Sequence, residues 1–168
     1  INQVTISAWV YAESFSSFTS ILSLSEESAN PSIFSRIQMY IDASGYPTLG
    51  VRVPDSELNL STKRANEALS TGDWYHLVAI ADFTNDSMAM YINGNFSSLN
   101  GGSSVSFSQD ATTNSPSRSA AIGAQDDGSF GYFDGIIDEL RFSTKILDPD
   151  VIATEFSNQS EPLDFYQL

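Results

Sequence analysis

The chain has 168 residues, of which 41% are hydrophobic and 12% aromatic, enough to bury the core of one domain. Its 21 acidic residues outnumber 7 basic ones, and the net charge of −14 makes nucleic acid and anionic membranes poor candidate partners. The absence of cysteine excludes disulfides and thiolate chemistry, and no apolar run is long enough for insertion into a membrane.

The first third of the chain alternates between apolar and polar residues, which is the period of a β-strand with one face in a core. The pattern is clearest over Val4–Val10 and returns over Arg36–Ile41. Shorter strands are predicted over Ser20–Leu24 and Thr48–Val53. The chain enters its first strand directly from Ile1, without an initiator methionine, so we expect it to be a piece of a longer precursor.

The middle of the chain predicts an antiparallel meander. Asp73–Phe83 is apolar on both faces, as in a central strand that is covered from both sides. A second strand, Ser87–Ile92, leads into Asn93-Gly94, a pair that favours a tight hairpin turn because both residues tolerate positive φ. Another short strand is expected around Phe96.

The last third is predicted to contain a long polar loop, two strands and one helix. The strands are expected over Ser119–Gly123 and Tyr132–Ser143. Asp148 can cap a short helix over Pro149–Phe156, since proline suits the first helical position. Many short strands and almost no helix predict an all-β fold, a two-sheet antiparallel β-sandwich. Residues 1–157 are assigned to this domain and 158–168 to a C-terminal tail or linker.

Four segments match a known family in their order and spacing. They are Val4–Tyr11, Asp73–Ala79, Met90–Gly94 and the run from Ala121–Ala124 into Phe133–Phe142. Through them the chain resembles the laminin G-like domains of the concanavalin A-like lectin and glucanase jelly rolls. The resemblance covers residues 4 to 156 and implies two curved sheets. The roles that it implies range from sugar binding and cell adhesion to that of a spacer domain. The family often has a further strand upstream, so a sheet edge or a metal ligand is expected outside the chain.

Asp138 is a candidate calcium ligand. Strict alternation places it on one face with Ile136, Leu140 and Phe142, and a carboxylate in an apolar row must be paired, hydrogen-bonded or metal-bound. The resembling folds often hold a structural Ca²⁺ through an aspartate on this strand, and Ca²⁺ prefers oxygen ligands. The alternative is an aspartate that is satisfied by hydrogen bonds alone.

The loop that contains Asp126, Asp127 and Tyr132 is the candidate ligand site, because it mixes carboxylates, glycines and aromatic rings as sugar sites do. The alternative is an ordinary polar turn between strands. Trp9 and Trp74 lie beside the apolar stripe of a strong strand, and we expect both to pack in the core rather than to stack on a ligand.

The sequence does not indicate an enzyme. Laminarinase-type relatives place carboxylates at alternate positions of one strand, Glu-x-Asp-x-x-Glu, and no such pattern occurs here. Adjacent acidic residues such as Asp138 and Glu139 are expected to point to opposite faces of a strand. His76, the only histidine, is expected to be packed and hydrogen-bonded, and no Gly-x-Ser-x-Gly elbow is present.

These features predict a non-catalytic, lectin-like binding or adhesion module of a larger secreted or cell-surface protein. Its expected partner is a glycan or a protein surface, and its neighbours are other domains of the same polypeptide. A structural spacer without its own ligand is the alternative, and a glycoside hydrolase-type enzyme is the least favoured interpretation.

Overall fold

The computed structural model describes residues 1–25, 35–52, 60–107, 120–125 and 130–161. Within these ranges the chain forms ten strands and one helix. They are β1 (Gln3–Ala12), β2 (Thr19–Ser25), β3 (Ser35–Ile41), β4 (Pro47–Arg52), β5 (Leu60–Arg64), β6 (Trp74–Asp82), β7 (Ser87–Ile92), β8 (Asn95–Ser97), β9 (Ala120–Ile122), β10 (Gly135–Ser143) and α1 (Pro149–Ser160).

The strands make two five-stranded antiparallel sheets that pack face to face. Sheet A has the order β10-β1-β6-β7-β8, and sheet B has the order β5-β4-β3-β2-β9. The predicted β-sandwich is therefore confirmed, and β6 is central in its sheet as its apolar faces indicated. The hairpin between β7 and β8 turns at Asn93 and Gly94 with φ of 51° and 75°, which confirms the predicted turn.

The core lies between the inner faces of the two sheets, where alternate residues of each strand meet. On β1 these are the four residues that the alternation singled out, Val4, Ile6, Ala8 and Val10, and all four are buried. Sheet B contributes residues such as Met39 to the same hydrophobic cluster. This cluster fixes which face of sheet A turns toward sheet B and which turns outward.

Strand β10 contains a β-bulge at Glu139, whose φ is 50°. Ser7 pairs with Arg141 but Trp9 pairs with Asp138, so two residues of β10 oppose the single residue Ala8 of β1. Paired residues share a face of the sheet, so Asp138 lies on the outer face with Trp9. The expectation that Asp138 shares an inward face with Leu140 is wrong, because the bulge resets the alternation between them.

Helix α1 packs on the outer face of sheet A. Its cap is as predicted, since the Asp148 carboxylate accepts a hydrogen bond from the backbone N–H of Asp150 at 2.9 Å. Ile152 is completely buried against residues of β6 and β7. The helix continues to Ser160, so its predicted end at Phe156 is wrong. The assignment of residues 158–168 to a C-terminal tail or linker stays a prediction. Along the described part of the chain, no helix is long and apolar enough to cross a membrane.

Candidate functional site

A cleft of about 710 Å³ opens on the outer face of sheet A, beside the last turns of α1. We call it the α1 cleft. Its lining residues are Trp9, Trp74, Asn93, Asp138, Glu139, Phe156, Asn158, Gln159 and Ser160. Its size is typical of sites for small ligands, and it combines aromatic rings with a few polar groups, as such sites do.

Trp74 forms an exposed aromatic surface in the cleft. It is the first residue of β6 and pairs with Tyr11 of β1, and the two rings pack with their centroids 5.7 Å apart. Its side chain is 44% exposed, so the prediction that Trp74 packs in the core is wrong. The reason is that α1 covers the middle of β6, around Val78 and Ile80, and leaves its first residue open.

Trp9 joins the sheet to the last turns of the helix. Its indole N–H donates to the side-chain carbonyl of Gln159, and its ring stacks on Phe156 with centroids 5.7 Å apart. The expectation of a packed tryptophan is met here, although the packing is against α1 rather than in the core between the sheets. The wall of the cleft is thus held by contacts between residues that are 150 positions apart in the chain.

Two carboxamides of the cleft are oriented by hydrogen bonds to their oxygen atoms. The Asn93 oxygen accepts from the backbone N–H of His76 at 2.9 Å, and the Gln159 oxygen accepts from Trp9. Both NH₂ groups have no acceptor within the described ranges. They are therefore fixed donors that a ligand with hydroxyl oxygens can use.

The bulge of β10 brings two carboxylates to the same cleft. Asp138 and Glu139 both line it, which corrects the expectation that adjacent acidic residues diverge. Glu139 accepts a hydrogen bond from Arg141 at 2.7 Å, and Arg141 also lies 3.4 Å from Glu155. Asp138 accepts only the backbone N–H of Glu139, at 2.8 Å, among the described contacts. It is therefore the carboxylate that remains available to a ligand.

The structure removes one argument for the predicted structural Ca²⁺ at Asp138, its burial. Its side chain is exposed rather than buried in an apolar row, so it needs no cation to compensate for burial. Across the ranges that the structure covers, no group of three or more acidic or histidine side chains is placed to hold a metal ion. Calcium binding at Asp138 stays a prediction that rests on the acidic composition and the family resemblance.

The predicted ligand loop does not join the cleft where it can be followed. Asp126 and Asp127 lie outside the described residues. Tyr132 is exposed and follows Gly131, whose carbonyl accepts a hydrogen bond from the backbone of Ser20 in sheet B at 3.0 Å. Tyr132 does not line the α1 cleft, so it belongs to a separate exposed surface.

His76 lies beneath the cleft in the buried layer between β6 and α1. Its ring centroid is 5.3 Å from that of Trp9 and 6.3 Å from that of Phe156. The prediction of a packed histidine is confirmed, but its Nδ1 atom has no hydrogen-bond partner among the residues that the structure describes. Burial, and after it the nearby positive charge of Arg141, lowers the pKa of His76 to about 4.

This pKa predicts that the protein loses stability on mild acidification. Between about pH 6.5 and pH 4 the unfolded chain binds a proton at His76 and the folded chain does not, so the free energy of unfolding falls as the pH falls. From pH 7 to pH 5 we expect a loss of about 2 kcal/mol from this residue. Denaturant unfolding of the protein and of His76→Gln across this range isolates the effect. Equal pH dependence of the two proteins would contradict the prediction.

Comparison with known families identifies the fold independently. The laminin G-type model of the concanavalin A-like lectin/glucanases superfamily matches residues 1–153, which confirms the resemblance found in the sequence. No curated protein sequence matches the chain at a significant level.

Solved structures with the same architecture include proteins that bind carbohydrates. The Ruminococcus gnavus IT-sialidase CBM40 bound to α2,3 sialyllactose is similar with a TM-score of 0.72 and 18% identity, over 93% of this chain and 83% of that chain. The K499G mutant of the NanB sialidase from Streptococcus pneumoniae gives 0.68 and 18%, over 92% and 24%. A SAP-like pentraxin from Limulus polyphemus gives 0.60 and 17%, over 94% and 70%. At these identities the similarity shows the shared fold.

Proposed function

Because the chain belongs to the concanavalin A-like lectin/glucanase superfamily, we propose that it is a non-catalytic glycan-binding module of a larger secreted or cell-surface protein. The α1 cleft is the site that this proposal assigns to the ligand. Superfamily membership alone does not choose between binding, adhesion and spacing, since one fold hosts many functions. The choice therefore depends on the chemistry of the cleft.

The observation that carries the proposal is the exposed face of Trp74 within a cleft of oriented polar groups. A pyranose ring has an apolar face of C–H groups and a rim of hydroxyls. The indole can cover the apolar face, because burying it removes nonpolar area from water. The NH₂ groups of Asn93 and Gln159 can donate to hydroxyl oxygens, and Asp138 can accept from a hydroxyl. The cleft thus offers an apolar surface for the face of the ring and hydrogen-bonding groups for its hydroxyls.

The solved structures support a binding role rather than catalysis. The similar CBM40 structure carries sialyllactose, and the sialidase chain contains the matching fold as about a quarter of its length. A glycosidase acid typically sits in an apolar pocket that keeps it protonated. Asp138 and Glu139 are both exposed, so neither has that environment.

Replacing Trp74 with alanine is expected to weaken glycan binding about thirty-fold, the effect of losing roughly 2 kcal/mol at a central tryptophan. Ligands are first identified on a glycan array, and their affinities are then measured by calorimetry. Phe96→Ala is the matched control, because Phe96 is an aromatic residue on the same sheet that is 56% exposed and lies outside the cleft. This control should bind like the unchanged protein.

Other results would assign the function elsewhere. Binding that is lost in Tyr132→Ala but kept in Trp74→Ala would transfer the site to the loop of Asp126, Asp127 and Tyr132, whose role stays a prediction. A protein that binds no glycan would be a spacer or would recognise a protein surface. Release of sugar from a polysaccharide would contradict the non-catalytic assignment.

A further inference from the structure

Resting on the glycan-binding function proposed above, we propose that the α1 cleft selects by charge. It prefers saccharides that carry a protonated amino group over their uncharged counterparts, and it rejects saccharides that carry a carboxylate. The selectivity depends on the negative charge of Asp138, whereas Trp74 contributes affinity to charged and uncharged sugars alike. The two properties can therefore be separated by mutation.

The charge of the lining is the first argument. Asp138 and Glu139 are its two ionisable side chains, so no cation among the described residues lines the cleft. An anionic sugar ordinarily requires an arginine or lysine for its carboxylate. The nearest candidate, Arg141, is already engaged by two carboxylates, with Glu139 at 2.7 Å and Glu155 at 3.4 Å. The net charge of −14 adds a further repulsive field for anions.

The second argument is that Asp138 is the uncompensated charge. Its described contact is with the backbone N–H of Glu139, and no ion pair is formed with it in the described structure. It lies in the same cleft as the exposed indole of Trp74. A carboxylate and an aromatic face both attract an ammonium group, the first by its charge and the second by the ring quadrupole. A neutral sugar engages the same cleft without this contribution.

The bulge explains how both carboxylates reach the cleft from β10, which is an edge strand. Regular alternation would send Asp138 and Glu139 to opposite faces, and the positive φ of Glu139 instead leaves both on the cleft side. Arg141 can then pair with Glu139 without reaching Asp138 in the described structure. One carboxylate is thus neutralised locally while the other stays free for a ligand.

The test uses two pairs of ligands, each with one charged and one uncharged member. A glucosamine oligomer is compared with its N-acetylated form, and lactose is compared with sialyllactose, by calorimetry at low salt and mildly acidic pH. The amino form should bind about two- to five-fold more tightly than the acetylated form, the range for one exposed charge contact. Sialyllactose should bind more weakly than lactose. Added salt should reduce both differences.

Asp138→Asn, whose side-chain oxygen can still accept from a hydroxyl, should bind the amino form and the acetylated form with equal affinity. Glu67→Gln, which removes an exposed charge outside the cleft, should keep the preference. If both members of a pair bind equally and Trp74→Ala still weakens glycan binding, the charge selectivity is overturned but the glycan-binding function is not. Tighter binding of sialyllactose than of lactose would likewise overturn the charge selectivity alone. No binding of any probe would overturn both.

Discussion

Replacing Gly135 with alanine should destabilise the protein by about 4 kcal/mol, which lowers the melting temperature by about 10 °C for a chain of this size. Gly135 has a φ of 141°, a region that residues with a Cβ avoid. An added Cβ would lie 2.0 Å from the carbonyl oxygen of Tyr11. Since Gly135 pairs with Ala12 at the start of β10, relief of this clash would separate β10 from β1.

Gly102→Ala separates the two causes of that destabilisation. Gly102 also has a positive φ, of 75°, but an added Cβ there meets nothing within 4 Å. It should therefore show only the conformational penalty, about 1 kcal/mol. Thermal unfolding of both variants gives the comparison. A Gly135→Ala protein as stable as Gly102→Ala would show that β10 does not approach β1 this closely.

Replacing Ile152 with alanine should destabilise the protein by about 3 kcal/mol and also remove glycan binding. Ile152 is completely buried between α1 and sheet A, against Val78, Ile80 and Tyr91. The loss of this side chain leaves a cavity and weakens the attachment of the helix. Since Phe156 and Gln159 of the same helix line the α1 cleft, a detached helix no longer provides its wall.

Val151→Ala is the matched control for this experiment, because Val151 is the neighbouring helix residue and is 44% exposed. It should change the free energy of unfolding by less than about 0.5 kcal/mol and keep binding intact. Chemical denaturation and calorimetry measure the two effects. Full affinity in a destabilised Ile152→Ala protein would show that the helix is not part of the ligand site.

The sequence predicted those strands whose side chains follow a simple rule. The Val4–Val10 alternation and the apolar stretch that became β6 identified two adjacent strands of sheet A, and Asn93-Gly94 identified a turn. Strand β5, Leu60–Arg64, was not predicted, because it has one apolar residue and lies at the edge of sheet B, where little burial is needed. Its pairing with β4 is a tertiary effect that no local pattern signals.

The candidate site was harder to predict, because it depends on one departure from regular strand geometry and on where the helix packs. Asp138 was singled out, but for burial in an apolar row, and only the bulge at Glu139 explains its exposure. Trp74 was expected in the core because its strand is the most apolar in the chain. Its exposure at the end of that strand could not be predicted from the strand alone, because it depends on where α1 packs. Gln159 was not predicted as a site residue, because it falls in the segment assigned to a C-terminal tail.

The hydrogen bond between Trp9 and Gln159 joins the first strand to the last helical turn. During synthesis, the strands of both sheets leave the ribosome before this turn does. The sandwich can therefore begin to fold while its binding site is still incomplete, and the site closes last. A chain that ended before Gln159 would lack the acceptor for the Trp9 indole N–H and part of one wall of the cleft.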